Sequence, residues 1–167
     1  YKANRDSSHK PKYYSELRIK LVDSYGAELV HGQEADDAMG LAQTDDTVIC
    51  TIDKDLMMIA GWHYNWMKPD EGLVYQTPRE GFRLFCMQCL TGDSVDNIPG
   101  MYKIMKKKAT AKVKQPLYDC QNRQEMWDYV KEVYKDHTDD LLLIAKLLWI
   151  RHTYRILDWQ DKEFNNE

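Results

Sequence analysis

Three short acidic clusters constrain this chain more than any other feature: Glu34-Ala35-Asp36-Asp37, Asp53-Lys54-Asp55 and Gly92-Asp93-Ser94-Val95-Asp96-Asn97. Each follows a segment whose pattern reads as regular structure. Residues 27–31 read as a short strand and 33–43 as a helix. The β-branched run 47–52 suits a strand buried on both faces. A helix over 78–90 precedes the third cluster. In an open α/β sheet the chain leaves the carboxyl ends of its strands along one edge, so the first two clusters are expected to meet there. Carboxylates so gathered repel by roughly 4 kcal/mol per pair at about 4 Å and an effective dielectric near 20. Divalent cations remove that conflict, and all-oxygen sites select hard ions such as Mg²⁺.

Simpler readings stand beside this one. Asp45-Asp46 and Asp139-Asp140 read as caps or solvated turns. Glu34 and Asp37 could merely complement the positive end of a helix, and Asp53 and Asp55 could form a strand-to-helix turn with its N-cap. Three such clusters in order, each at an exit from regular structure, favour a shared site. Two ions about 4 Å apart in such a site can stabilise both the attacking and the leaving oxygen of a phosphodiester.

The remaining pattern is helical at both ends. Residues 13–25 carry apolar side chains at helical spacing and stop at Gly26. A short helix fits 54–60, and 64–77, interrupted by Lys68-Pro69-Asp70-Glu71-Gly72, reads as a hairpin. Helices fit 123–135 and 139–154. Alternating strands and helices followed by helices alone predict a parallel α/β layer with a helical C-terminal unit. The longest apolar run, 141–150, contains Lys146 and is far shorter than the roughly 20 residues of a membrane-spanning helix.

Cys50, Cys86, Cys89 and Cys120 allow a disulfide set, a metal site or ordinary free thiols. The lone Cys86-x-x-Cys89 pair sits in an apolar helical stretch, so buried free thiols of a reducing cytoplasm are expected. The five histidines form no ligand spacing. Trp127, Tyr134, Trp149, Tyr154 and Trp159 read as core aromatics.

Net charge by itself speaks against a nucleic-acid partner: 23 Lys and Arg face 27 Asp and Glu, giving −4. The surplus is local, however. Residues 1–115 hold 16 basic and 16 acidic side chains, so the excess acid lies wholly in the tail, while Lys103, Lys106, Lys107, Lys108, Lys112 and Lys114 form a basic run. That run reads as a phosphate-contacting patch or a solvated helix face.

The acidic motifs, together with Thr51-Ile52-Asp53-Lys54-Asp55-Leu56 and Leu90-Thr91-Gly92-Asp93-Ser94-Val95-Asp96-Asn97-Ile98-Pro99-Gly100, closely resemble in the same order the signatures of the 5′-3′ exonuclease and flap endonuclease family. That family includes stand-alone phage exonucleases and the 5′-nuclease domain of bacterial DNA polymerase I. The opening Tyr1-Lys2-Ala3-Asn4-Arg5 resembles the family's Tyr-Lys-x-Asn-Arg motif. The likeness spans roughly residues 1–113 and implies a PIN-like (resolvase-like) α/β fold, a parallel-sheet nuclease core followed by a helix-three-turn-helix and C-terminal helices. It divides the chain into a nuclease core at 1–91 lacking its first strands, a metal loop and DNA-binding motif at 92–115, and a helical region at 116–167.

By that resemblance Glu34, Asp36, Asp37, Asp53 and Asp55 serve a first metal, and Asp93 and Asp96 a second. The ions are two Mg²⁺, with Mn²⁺ able to replace them. Lys2 and Arg5 match residues at the scissile phosphate, and Tyr1 an aromatic beside a substrate base. Gly100 and the lysines from Lys103 to Lys112 match the hairpin that grips duplex DNA, where the family can hold K⁺. Met105 stands where a second hairpin Gly is expected. The family's opening strand, with its Asp-Gly and a second Asp, has no counterpart here. The chain therefore reads as lacking an N-terminal part, and it is expected to cleave poorly alone.

The resulting expectation is Mg²⁺-dependent hydrolysis of DNA or RNA–DNA duplexes from a 5′ end or flap during replication. The protein would be a monomer in the cytoplasm, or in the host's cytoplasm if it comes from a phage. The alternative is a structure-specific DNA-binding module without catalysis. A related RNA-cleaving nuclease of similar core is disfavoured by the hairpin after Asp96.

Overall fold

The computed structural model describes residues 10–152, and its architecture centres on one helix, α3 (Pro78–Thr91). Its start is written in the sequence. Thr77 accepts from the Glu80 amide while the Glu80 carboxylate takes the Thr77 N–H, a capping box with Pro78 in the first turn. Gly92, at φ 73°, ends it.

Among the described residues, seven further α-helices, a three-stranded sheet and a two-stranded hairpin make up the rest of the fold. Helix α1 (Tyr14–Tyr25) ends, as expected, at a left-handed Gly26, and buries none of its residues. Helix α2 (Ala35–Ala42) follows. Strands β1 (Val48–Cys50), β2 (Gly61–Tyr64) and β3 (Leu73–Gln76) form a sheet in that order. A 3₁₀ turn at Lys54–Met58 fills the crossover between the first two. β1 runs parallel to β2, with Val48 opposite Trp62, and β2 runs antiparallel to β3, with Tyr64 opposite Leu73.

The fold is therefore mixed α/β with a three-stranded mixed sheet, not the parallel layer expected. The hairpin responsible for the antiparallel pair is the one its turn residues indicate. Two further expectations fail. Residues 27–31 form no strand, because no ladder receives them and their side chains are almost all exposed. The 47–52 run is strand only at its centre and is covered on one face: Ile49 is buried, whereas Val48 is 41% exposed. Val48, Trp62 and Tyr75 lie in one cross-strand row, with the two rings edge to face at 5.1 Å, on the face that no described element covers.

Beyond α3 the chain makes a tight β4–β5 hairpin (Gly92–Asp93 and Ile98–Pro99). Short helices follow: α4 (Met101–Met105), α5 (Ala111–Lys114) and α6 (Pro116–Asp119). Two longer ones complete the core, α7 (Arg123–Tyr134), capped by Asn122, and α8 (Thr138–Leu148). The predicted end of α8 at 154 is too late; the helix stops before Trp149, and Tyr154 and Trp159 lie outside the described residues. Phe82, Phe85, Leu90, Leu117, Met126, Trp127, Val130, Tyr134, Leu141 and Ile144 make the main core, with Trp149 partly buried against it, so Trp127 and Tyr134 of the expected aromatic stripe are interior. The Tyr134 hydroxyl is satisfied by donating to the Cys89 carbonyl at 2.6 Å.

Cys86 and Cys89 are free, fully buried thiols whose burial pushes both above the ordinary thiol range; Cys50 and Cys120 are also free. Among the described residues no helix is long and apolar enough to cross a membrane.

Candidate metal centre

The three acidic clusters arrive at one place from three different elements. Glu34 is the residue before α2, with Asp36 and Asp37 in its first turn, where the helix dipole favours negative charge. Glu34 makes no side-chain capping bond at the helix end. Asp53 and Asp55 follow β1. The Asp53 carboxylate accepts from the Asp55 amide at 3.0 Å and caps the 3₁₀ turn, so the local N-cap reading also holds. Asp93 and Asp96 sit on the β4–β5 hairpin, where Asp93 Oδ1 accepts from Val95 N at 2.7 Å and Asp96 N at 3.2 Å.

Two adjoining cavities collect them. One, of about 260 Å³, is lined by Glu34, Asp36, Asp37, Asp55, Asp93 and Asp96, with Gln88 and Lys146 in the same wall. The other, of about 410 Å³, is lined by Asp36, Asp53, Asp55, Asp93 and Asp96, with Lys54 at its edge. Four carboxylates are common to both. All seven acids singled out in the sequence thus border one continuous acidic depression, although the strand expected to deliver the first cluster does not form.

The charge of neighbours is felt directly at Asp55. Burial above all pushes its carboxyl above the ordinary range; Lys54, with Nζ at 3.6 Å, pulls it back, Asp53 raises it again, a hydrogen bond from Gln88 lowers it, and Asp93 adds a smaller rise. Asp37 is tied on its far side, Oδ1 accepting from Arg151 N at 2.9 Å, which fastens α2 to the segment after α8. Gly40 supports the same joint, since a Cβ there would lie 2.2 Å from the Arg151 carbonyl oxygen.

Among the described residues no three His, Cys, Asp or Glu side chains already stand close enough to ligate one cation. The donor set fits a hard divalent ion. It is all oxygen, rich in carboxylate, and includes a buried amide oxygen, Gln88 Oε1, with no hydrogen-bond partner.

The basic run lies on α4, α5 and the connection between them. Lys103, Lys106, Lys107, Lys108 and Lys112 are all exposed. Met105, in the place of the second hairpin glycine, is helical; the left-handed position falls one residue later, on Lys106 at φ 61°. Gly100 is buried, and a Cβ on it would lie 2.2 Å from the Thr91 carbonyl carbon, so close backbone packing is what requires glycine there. Tyr1, Lys2 and Arg5 lie outside the described residues.

Two residues of the site escaped the sequence reading. Gln88 had a signal: it is a polar side chain on the Gly81–Phe85–Gln88 stripe of an otherwise apolar helix face. Lys146 had only its place inside an apolar run, with nothing to link it to acids fifty or more residues away. No family model matches the chain, and neither a curated protein nor a solved structure matches it.

Proposed function

We propose that this chain carries the metal-binding core of a 5′-3′ exonuclease or flap endonuclease with a PIN-like fold, acting on DNA or RNA–DNA duplex ends. One observation supports the reading above all others. Seven carboxylates, delivered by α2, the turn after β1 and the β4–β5 hairpin, border adjoining cavities that share Asp36, Asp55, Asp93 and Asp96. Such convergence is costly for a merely structural surface and useful for cation binding.

Glu34, Asp36, Asp37, Asp53 and Asp55 would hold one Mg²⁺, and Asp93 and Asp96 would hold the second. When bound, the ions supply an activated water and charge neutralisation at the phosphodiester. The chain's own groups do the rest. The Asx turn at Asp93 fixes its carboxylate and presents Asp96 beside it. The exposed lysines from Lys103 to Lys112 would take the backbone phosphates of the duplex, and Lys2 and Arg5 the scissile phosphate.

The test is a 5′-flap duplex incubated with the 167-residue chain in Mg²⁺ or Mn²⁺, with a matched EDTA arm and a parallel binding measurement. The expected outcome is flap binding with weak metal-dependent product that is lost in the Asp93→Asn, Asp96→Asn double variant, whose flap binding is kept. Flap binding in EDTA without product in any metal supports the non-catalytic DNA-binding module instead. Absence of both binding and product overturns the proposal.

A further inference from the structure

We propose that Gln88 is a neutral oxygen donor of the cation site: its amide nitrogen holds the Asp55 carboxylate, and its amide oxygen completes the coordination of a divalent cation, directly or through a bound water. This rests on the reading of the acidic depression as a metal centre and adds to it a residue that the acidic motifs do not contain.

Gln88 is 6% exposed, in the last turns of α3, on an otherwise apolar helix face. Its Nε2 donates to Asp55 Oδ1. A carboxylate only accepts, so the amide must turn its NH₂ group to Asp55, and this settles where the oxygen goes. Oε1 is buried and has no hydrogen-bond partner, and Gln88 is one of the residues lining the cavity that also carries Glu34, Asp36, Asp37, Asp93 and Asp96. The negative end of an amide dipole facing carboxylates is unfavourable, and leaving a buried acceptor unsatisfied adds a further cost. A divalent cation reverses the sign of both effects.

The chemistry suits the position. Hard divalent ions accept amide carbonyl oxygens alongside carboxylates. A neutral donor fills a coordination position without adding to the repulsion among the acids. Because the same side chain orients Asp55, one residue both supplies a ligand and fixes a second.

The experiment titrates the full 167-residue chain with Mn²⁺, reading free Mn²⁺ by electron paramagnetic resonance, and follows thermal unfolding of the same samples in EDTA. Gln88→Met, which keeps length and removes both polar atoms, is expected to weaken Mn²⁺ binding by about 10–100-fold. In EDTA it should unfold close to the wild-type temperature, because relief of the unsatisfied oxygen offsets loss of the hydrogen bond to Asp55. Gln88→Glu, which keeps an oxygen, is expected to retain the wild-type Mn²⁺ affinity while unfolding earlier in EDTA through added repulsion.

Wild-type Mn²⁺ affinity in Gln88→Met, with binding intact in the parent chain, overturns the role of Gln88 alone. A Gln88→Met chain that unfolds earlier in EDTA marks a structural residue and likewise overturns it. If Gln88→Met fails to fold, loss of Mn²⁺ affinity in Gln88→Glu does the same. A parent chain that binds no Mn²⁺ overturns the metal centre itself and this inference with it.

Discussion

His63 sits 3% exposed on the inner face of β2, with Nε2 2.8 Å from the Ile59 carbonyl. A carbonyl only accepts, so Nε2 carries the proton and Nδ1, buried without a partner, is the bare nitrogen. Burial pushes the ring below its ordinary 6.5, against the smaller opposing effect of the Ile59 bond. The folded state therefore binds fewer protons than the unfolded state between the lowered value and 6.5. Stability is highest above that window and falls as pH drops through it, by at most about 1.4 kcal/mol per pH unit. Urea unfolding at stepped pH should show that slope, and His63→Phe should lack it; an unchanged slope would remove His63 as its source. Asp55, raised by burial, contributes the opposite slope at lower pH, which makes the difference between parent and variant the informative quantity.

At the scale of elements, the β4–β5 hairpin is the most demanding piece of the site. Gly92 needs φ 73°, and its absent Cβ would meet Gly100 N at 2.3 Å; Gly100 in turn faces the Thr91–Gly92 backbone. At Gly100 the constraint is proximity rather than torsion, since its φ of −97° is open to any residue. Gly100→Ala should consequently push the hairpin off the end of α3 and move Asp93 and Asp96 with it. The expected result is Mn²⁺ affinity lowered by about tenfold or more, with α3, α7 and α8 still protected in hydrogen exchange. Unchanged affinity would show that the hairpin accommodates the methyl group. These local devices were legible beforehand: the helix start at Pro78, the stop at Gly26 and the turn at Lys68–Gly72 follow from neighbouring residues alone. The strand over 27–31 was not, because an extended segment becomes a strand only when another supplies its hydrogen bonds.

Across the whole molecule, the acids join segments that are distant in sequence: α2, the turn after β1, and the hairpin beyond α3, with Lys146 of α8 completing the wall. Cation binding should thus stabilise the tertiary arrangement rather than one element. At a hundredfold excess over its dissociation constant, a single bound ion contributes about 2.7 kcal/mol. That corresponds to a rise of roughly 5–10 °C in the unfolding midpoint for a chain of this size. Calorimetry with Mn²⁺ and with EDTA should show it, and an unmoved midpoint would argue that the acids repel without binding. The sequence by itself determined the order of the acidic motifs, the helix start and stop signals, the hairpin and the interior aromatics, because each depends on residue type at short spacing. Only the tertiary structure decided that the sheet is mixed and covered on one face. It alone turned Gln88 and Lys146 into the acidic wall, because contact between segments that far apart depends on how helices pack, not on any local pattern.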